Sequence, residues 1–220
     1  MDSVILSDQF LTNFAIFFAL YCIHVVLIAP GNLVDWQIKL YLMLGALKIT
    51  NIDKKAIQPN SLDVHLGRDF ARQKADGSFE SFQADYIVLK PGEFVLATTK
   101  EFFYFSSFLH GVMQGKSSWA RLGLYVESAG LFDSGFEGEG VVELTNQGNC
   151  PLTLRADAAI AQMIFFRNLP VKRPYGKKKY SVSNYQGQKG ARQSALANVL
   201  ASDKIKNASR IENPSPLELN

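Results

Sequence analysis

The sequence predicts an all-β barrel or sandwich, on three observations. Short runs of strand-like composition recur between residues 62 and 166, turn signals separate many of them, and no long helices alternate with them. The runs are LDVHL at 62–66, YIVLK at 86–90, EFVLAT at 93–98 and FFYF at 102–105, then LGLYVE at 122–127, VVELT at 141–145, LTLR at 152–155 and AQMIFF at 161–166. Asp76-Gly77, Pro91-Gly92, Ser134-Gly135 and Gly148-Asn149 punctuate them. Ahead of the strands, WQIKLYLMLGAL at 36–47 suits a short helix with one strongly apolar face. Beyond Tyr180 the run SVSNYQGQKGARQS is polar and glycine-containing, which predicts a flexible arm. Ser194 to Leu200 suits one or two helical turns, and the NPSPLELN end reads as disordered.

The 220 residues are enough for one well-packed domain with appendages. A division follows: an apolar N-terminal extension or insertion at 1–35, the main domain at 36–192, and a tail at 193–220. A net charge of +3 is too small to argue for nucleic acid, and none is expected as a partner. The charge is unevenly spread, since no Asp or Glu occurs from Ala158 to Ser202, where Arg167, Lys172, Arg173, Lys177 and others fall. Such a block is ordinarily a solvated face or a basic tail. Cys22 and Cys150 form no CxxC pair, and His24, His65 and His110 lack metal-ligand spacing. A cytoplasmic location is expected.

The N-terminus departs from this pattern. No charged residue lies between Asp8 and Asp35, and FLTNFAIFFALYCIHVVLIAP at 10–30 matches the ~20 apolar residues that a bilayer span needs. No Lys or Arg precedes it, so the cationic start of a signal peptide is missing, and Lys39 is the first positive charge. The readings are a membrane segment, a buried helix, or an upstream extension foreign to the domain; membrane contact is the less favoured. VILSDQ at 4–9 is echoed by NLVDWQ at 32–37, as though the entry to the first helix had been interrupted.

One stretch poses the functional question. GKSSWARLGL at 115–124 begins like the tail of an ATP-binding loop. A GxxxxGK[ST] loop requires glycine at position 110, where this chain has His110, and a helix afterwards, where residues 122–126 read as strand. The ATPase reading fails.

From about Ile57 to Gly190 the chain resembles the trimeric dCTP deaminases, relatives of the dUTP diphosphatases. IQPNSLDVHLG at 57–67 is similar to their first sheet motif and LKPGEFVLATTKE at 89–101 to their central strand pair. GKSSWARLGL is similar to their GRSSLARLGL-type signature, with Lys116 in place of arginine. AGLFDSGFEGEGVVELTN at 129–146 resembles the segment carrying the catalytic glutamate, and NYQGQKG at 184–190 the closing arm. Five blocks in the right order are far more specific than any one. The resemblance implies a distorted jelly-roll or barrel of the dUTP diphosphatase type, with a short N-terminal helix and a flexible C-terminal arm.

Deaminating cytosine means adding water at C4, moving a proton to N3 and expelling ammonia, which needs a carboxylate of tuned basicity. Zinc deaminases hold the water on a metal with an HxE…PCxxC set, which this chain lacks, so no zinc is expected. The resemblance assigns the acid/base role to Glu143. Alternation along a strand points Glu143 away from Val142 and Leu144, although a strand glutamate at an unaligned site is usually just solvent-facing. By the same resemblance Ser117 positions the attacking water, and Arg121 keeps Glu143 oriented and ionised. The run Lys116, Ser117, Ser118, Trp119, Ala120 and Arg121 belongs to the substrate site, with lysine serving as a point charge for phosphate. Asp133 takes the deoxyribose 3′-hydroxyl and, in hydrolysing relatives, orients the water for phosphate cleavage. The backbone of Val141 and Val142 pairs with the base edge, and Tyr175, Tyr185 and Gln188 reach the triphosphate as the arm closes. Magnesium arrives on the triphosphate, coordinated by phosphate oxygens and water.

Two departures bear on specificity. Where family members carry His-x-Thr before Ala-Gly, this chain reads YVESAG, with Glu127 and Ser128; where the arm reads KYQGQ, it has Asn184. The leading reading is deamination of dCTP to dUTP and ammonia by a homotrimer with shared active sites, supplying precursor for dUMP and dTTP. The alternatives are a bifunctional enzyme taking dCTP to dUMP and diphosphate, a pure dUTP diphosphatase, or a non-catalytic nucleotide-binding regulator. Ser118 stands where the pure hydrolase motif has glycine.

Overall fold

The computed structural model describes residues 8–27, 30–127, 130–177 and 183–195. In chain order the elements are α1 (Asp8–Leu27), β1 (Gly31–Asn32), α2 (Asp35–Met43), β2 (Leu47–Thr50), β3 (Leu62–Gln73), β4 (Phe79–Gln83), β5 (Tyr86–Leu89) and β6 (Phe94–Phe105). They continue with β7 (Leu109–Gly115), α3 (Ser117–Ala120), β8 (Leu124–Glu127), β9 (Leu131–Phe132), β10 (Glu137–Asn146), β11 (Leu152–Arg155) and β12 (Ala159–Arg167).

The all-β expectation holds. One sheet runs β8-β10-β6-β3-β12-β7-β9, with β1 on β12, β2 on β6 and β4 on β3, while β5 and β11 form a separate ribbon. Register shifts between Glu139 and Val141 on β10, between Leu66 and Phe70 on β3, and between Ala159 and Ala161 on β12 interrupt the antiparallel ladders. Such bulges increase local twist and curl a sheet around its apolar face. Leu62, Val64 and Leu66 of β3, Val142 and Leu144 of β10, and Met163 and Phe165 of β12 are fully buried. Phe105 makes ring contacts with Phe103, Phe132 and Phe165, so aromatic side chains fill the enclosed side.

Several boundaries differ from the sequence reading, each for a local reason. The helix expected over 36–47 is α2, and it ends at Met43. Gly45 adopts φ +70°, the Gly45 N–H donates to the Leu42 carbonyl and the Ala46 N–H to the Tyr41 carbonyl, a glycine-dependent stop. Leu47 then enters β2. The runs at 93–98 and 102–105 are one strand, β6, whose extended backbone carries on through the register shift opposite Glu139 and Val141. The run at 62–66 continues to Gln73 as β3. β7 at 109–115 was missed, since its glycines and polar residues hide its alternation. Residues 117–120 make a single helical turn before the strand resumes at Leu124.

The buried-helix reading of the N-terminus is wrong for this chain on its own. From Gln9 to Val25 every residue of α1 but the half-buried Cys22 is exposed, with Phe17 73% and Tyr21 64% accessible. Its C-terminal turn is tied to the sheet by Arg167, whose Nη2 donates to the Val25 carbonyl at 2.9 Å and whose Nη1 donates to the Tyr41 hydroxyl at 3.2 Å. Among the described residues no helix is long and apolar enough to cross a membrane; Thr12, Asn13 and His24 interrupt the apolar run. Expectations for residues 1–7, 196–200 and the NPSPLELN end lie outside the described residues.

Candidate active site

β10 supplies the central carboxylate. Its residues alternate between core and cleft: Val142 and Leu144 are fully buried while Glu143 faces the other side, half-buried. Glu143 opposes Leu96 of β6 on one flank and Glu127 of β8 on the other. It looks into a cleft of about 570 Å³. Phe79, Phe94, Leu96, Phe132 and Phe136 give this cleft its apolar walls. Oε2 of Glu143 is buried with no hydrogen-bond partner among the described residues. Burial raises the Glu143 pKa above the usual carboxylate range, its own backbone N–H partly opposes this, and the nearby negative charge of Glu127 adds to the rise. A carboxyl held more basic than usual, with a free oxygen facing a cleft, is suited to accept a proton from bound water.

Asp133 lies on the same cleft, brought there by a turn that depends on glycine. Gly135 has φ +93°, and a Cβ there would come within 2.8–3.0 Å of Pro174 and Tyr175. The close approach lets the Tyr175 N–H donate to the Ser134 carbonyl at 2.8 Å, which sets Tyr175 beside Asp133.

The arm folds back over the cleft of its own chain. The Glu139 N–H donates to the Gln188 carbonyl at 3.1 Å, and Gln188 Nε2 donates to the Glu139 carbonyl at 2.7 Å, so the arm pairs with the start of β10. The Gly190 N–H donates to Glu139 Oε2 at 2.8 Å, and the Tyr185 N–H donates to the Tyr175 hydroxyl at 3.1 Å. Six residues singled out in the sequence, Asp133, Val141, Glu143, Tyr175, Tyr185 and Gln188, thus line one cavity. Val142 contributes only its backbone, since its side chain is in the core. Arg192 and Ser194 also line the cleft and were missed. Their only sequence signal is position shortly after the arm motif. The aromatic walls were missed too, because Phe79, Phe94 and Phe132 come from strands distant in sequence.

The residues from Lys116 to Arg121 are not in this cleft. Lys116 Nζ donates to Asp63 Oδ1 at 2.6 Å, so its charge is engaged within the chain. Trp119 Nε1 donates to the Ala159 carbonyl at 2.9 Å, a structural contact. Ser117, Ser118, Ala120 and Arg121 are exposed. The turn is rigidly seated nonetheless: Gly123 has φ +89° and packs so tightly on Gly148 that a Cβ would lie 2.7 Å from its backbone. Glu127 is described, whereas Ser128 and Ala129 lie outside the described residues, as do Lys178 and Lys179. Among the described residues no group of three or more His, Cys, Asp or Glu side chains is placed to hold a metal ion.

A curled antiparallel sheet with an apolar-walled cleft, two carboxylates and a returning arm defines a candidate small-molecule site. The comparisons with known proteins agree. A family model described as dCTP deaminase-like matches residues 32–168. Curated relatives named "dCTP deaminase, dUMP-forming" include one from Methanosphaerula palustris, 33% identical over 173 residues, covering 72% of this chain and 92% of the relative. Another, from Corynebacterium glutamicum, is 37% identical and covers 71% of this chain and 91% of the relative. A third, from Salinispora tropica, is 39% identical over 163 residues, 66% of this chain and 84% of the relative. The crystal structure of a 2′-deoxycytidine 5′-triphosphate deaminase from Agrobacterium tumefaciens shares the fold, with a TM-score of 0.56 at 20% identity, over 63% of this chain and 48% of that one. The chain belongs to the dCTP deaminase-like family.

Proposed function

We propose that the protein converts dCTP to dUMP, releasing ammonia and diphosphate, in two hydrolytic steps within one cleft. The observation that carries this reading is the pairing of two carboxylates, Glu143 and Asp133, on the walls of a single cavity. It supports the bifunctional alternative over a deaminase that stops at dUTP, and relatives named as dUMP-forming lend weight to the same choice.

In the first step water adds to C4 of the cytosine while Glu143 takes its proton and passes it to N3. Glu143 then takes the proton of the C4 hydroxyl and gives it to the departing amine, so that collapse of the tetrahedral intermediate breaks the C4–N bond, forms the C4 carbonyl and releases ammonia. In the second, Asp133 orients a water toward the α-phosphorus, the Pα–O bond to the β-phosphate breaks, and diphosphate leaves. The balance is dCTP plus two waters giving dUMP, ammonia and diphosphate. Magnesium, carried on the phosphates, screens their charge.

Glu143 alone does not complete the site. Ser117 and Arg121 are exposed on a turn outside their own cleft, while Glu143 Oε2 has no hydrogen-bond partner among the described residues. In the proposed homotrimer this turn from one copy enters the cleft of the next, so that Arg121 meets Glu143 and Ser117 holds the water. Incubation of the purified protein with dCTP and magnesium, followed by chromatography of nucleotides, tests the reading. dUMP without build-up of dUTP is expected. Accumulating dUTP restricts the activity to deamination, and no conversion overturns the proposal.

A further inference from the structure

A second acid faces Glu143 across the sheet. Glu127 closes β8, the edge strand of the sheet, and sits in register opposite Glu143 on β10. Opposed residues of an antiparallel pair put their side chains on one face, with Cβ atoms about 4.5–5.5 Å apart. Tyr125, two residues earlier on that face, donates its hydroxyl to Glu127 Oε2 at 2.7 Å, which holds the carboxylate on the sheet. Like charges directly opposed destabilise a strand pair, so this arrangement is costly unless it serves the site.

Asp133 is the other carboxylate on this cavity wall, and the remaining lining groups add no negative charge. β6 presents Phe94 and Leu96, which are apolar, and β4 presents Phe79. Asp133 follows β9, and the returning segment brings Tyr175, Tyr185 and Arg192 to the cavity wall. On β10 itself, Glu139 is engaged by the Gly190 N–H. Under the proposed assembly Arg121 of a neighbouring copy also approaches. An arginine beside a carboxylate favours the ionised form and makes it a weaker base. A proton-transfer group works best with a pKa near the operating pH. A second carboxylate on the other side opposes the arginine.

We propose that Glu127, held by Tyr125, is a positioning residue that keeps Glu143 basic enough to take the proton of the attacking water. The inference rests on the proposed deamination, and burial of Glu143 acts in the same direction. Removing the charge at 127 makes Glu143 ionise more readily, so the acid limb of its titration moves to lower pH.

Two readouts separate this from the reading it rests on. The first is kcat/KM on dCTP against pH for the wild type, Glu127→Gln and Glu127→Lys. The second is titration of the Glu143 carboxyl carbon by 13C NMR in the substrate-free protein, its signal assigned by its loss in Glu143→Gln. Glu127→Gln lowers the midpoint by about half a pH unit, and Glu127→Lys, which reverses the charge, lowers it further. An unmoved midpoint in both variants overturns the role of Glu127, as does lost activity with an unshifted profile. Absence of turnover in the wild type strikes the proposed function instead, while the NMR titration still decides whether Glu127 acts on Glu143.

Discussion

Two regions carry the residues expected to do chemistry, and the fold treats them in opposite ways. The wall formed by β10 and the returning arm is built entirely within one chain. Glu143 is half-buried, Asp133 and Tyr175 are locked together by the Gly135 turn, and Gln188 pairs with β10 through its backbone. The turn from Ser117 to Arg121 is as rigid, seated on Gly148 through Gly123, yet its functional side chains face outward. Under the proposed assembly the wall supplies base and pocket, and the turn supplies a cation and a hydroxyl to another copy.

That comparison is open to direct attack. Its most severe test is complementation. Glu143→Gln and Arg121→Ala each reduce deamination by at least about a hundredfold, in line with the loss of an acid/base group or its charged partner. Mixing the two inactive proteins under conditions that exchange subunits restores activity, because a site can then draw Glu143 from one copy and Arg121 from another. Random assembly leaves about a quarter of the sites intact. Ammonia release by the mixture checks it, and no recovery breaks the division of labour.

A smaller effect tests the wall itself. Gln188→Ala removes the 2.7 Å bond to the Glu139 carbonyl and loosens the arm over the cleft. KM for dCTP rises by about tenfold with kcat changed less, since a mobile arm weakens binding before it disturbs the reacting centre. Equal loss in both parameters would place Gln188 in the chemistry.

The smallest effect is on stability. The folded state holds the Glu143 proton more tightly than the unfolded chain does. In the window above the ordinary glutamate pKa the native protein therefore binds more protons than the unfolded one, and stability falls as pH rises through it. Glu143→Gln removes this dependence. In the Arg121→Ala background, which removes the cation of the neighbouring copy, it raises the melting temperature by roughly 1–4 °C at pH 7 and leaves it unchanged below both pKa values, measured by calorimetry. A variant less stable at pH 7 would show that the carboxylate is favourably paired.

Alternation around Val142, Glu143 and Leu144 was enough to read which way the glutamate faces, because side chains switch sides at every strand residue. The ATP-loop reading of Gly115-Lys116-Ser117 was excluded for an equally local reason, His110 where the loop needs its first glycine. The motif order located Asp133, Tyr175, Tyr185 and Gln188, and all four reach the cleft. Other features were invisible for physical reasons. Phe79, Phe94 and Phe132 meet only because β4, β6 and β9 converge in the curled sheet. The opposition of Glu127 and Glu143 is a register between strands 16 residues apart by their numbers, and register depends on pairing over the whole ladder. Lys116 looked like a phosphate ligand, yet Asp63, far away in sequence, takes its charge. The apolar N-terminal run was legible as a helix-length segment, but its exposure was not, since burial depends on what surrounds it.

By itself the sequence determined local matters: strand alternation, glycine turns, the identity of each acid and the order of the motifs, all set by near neighbours along the chain. Only the tertiary structure decided which acids share a cleft, which cation is already paired, and that the Ser117–Arg121 turn faces away from its own cleft. Those depend on long-range strand register and on the curl of the sheet, which bring together residues that no local pattern connects.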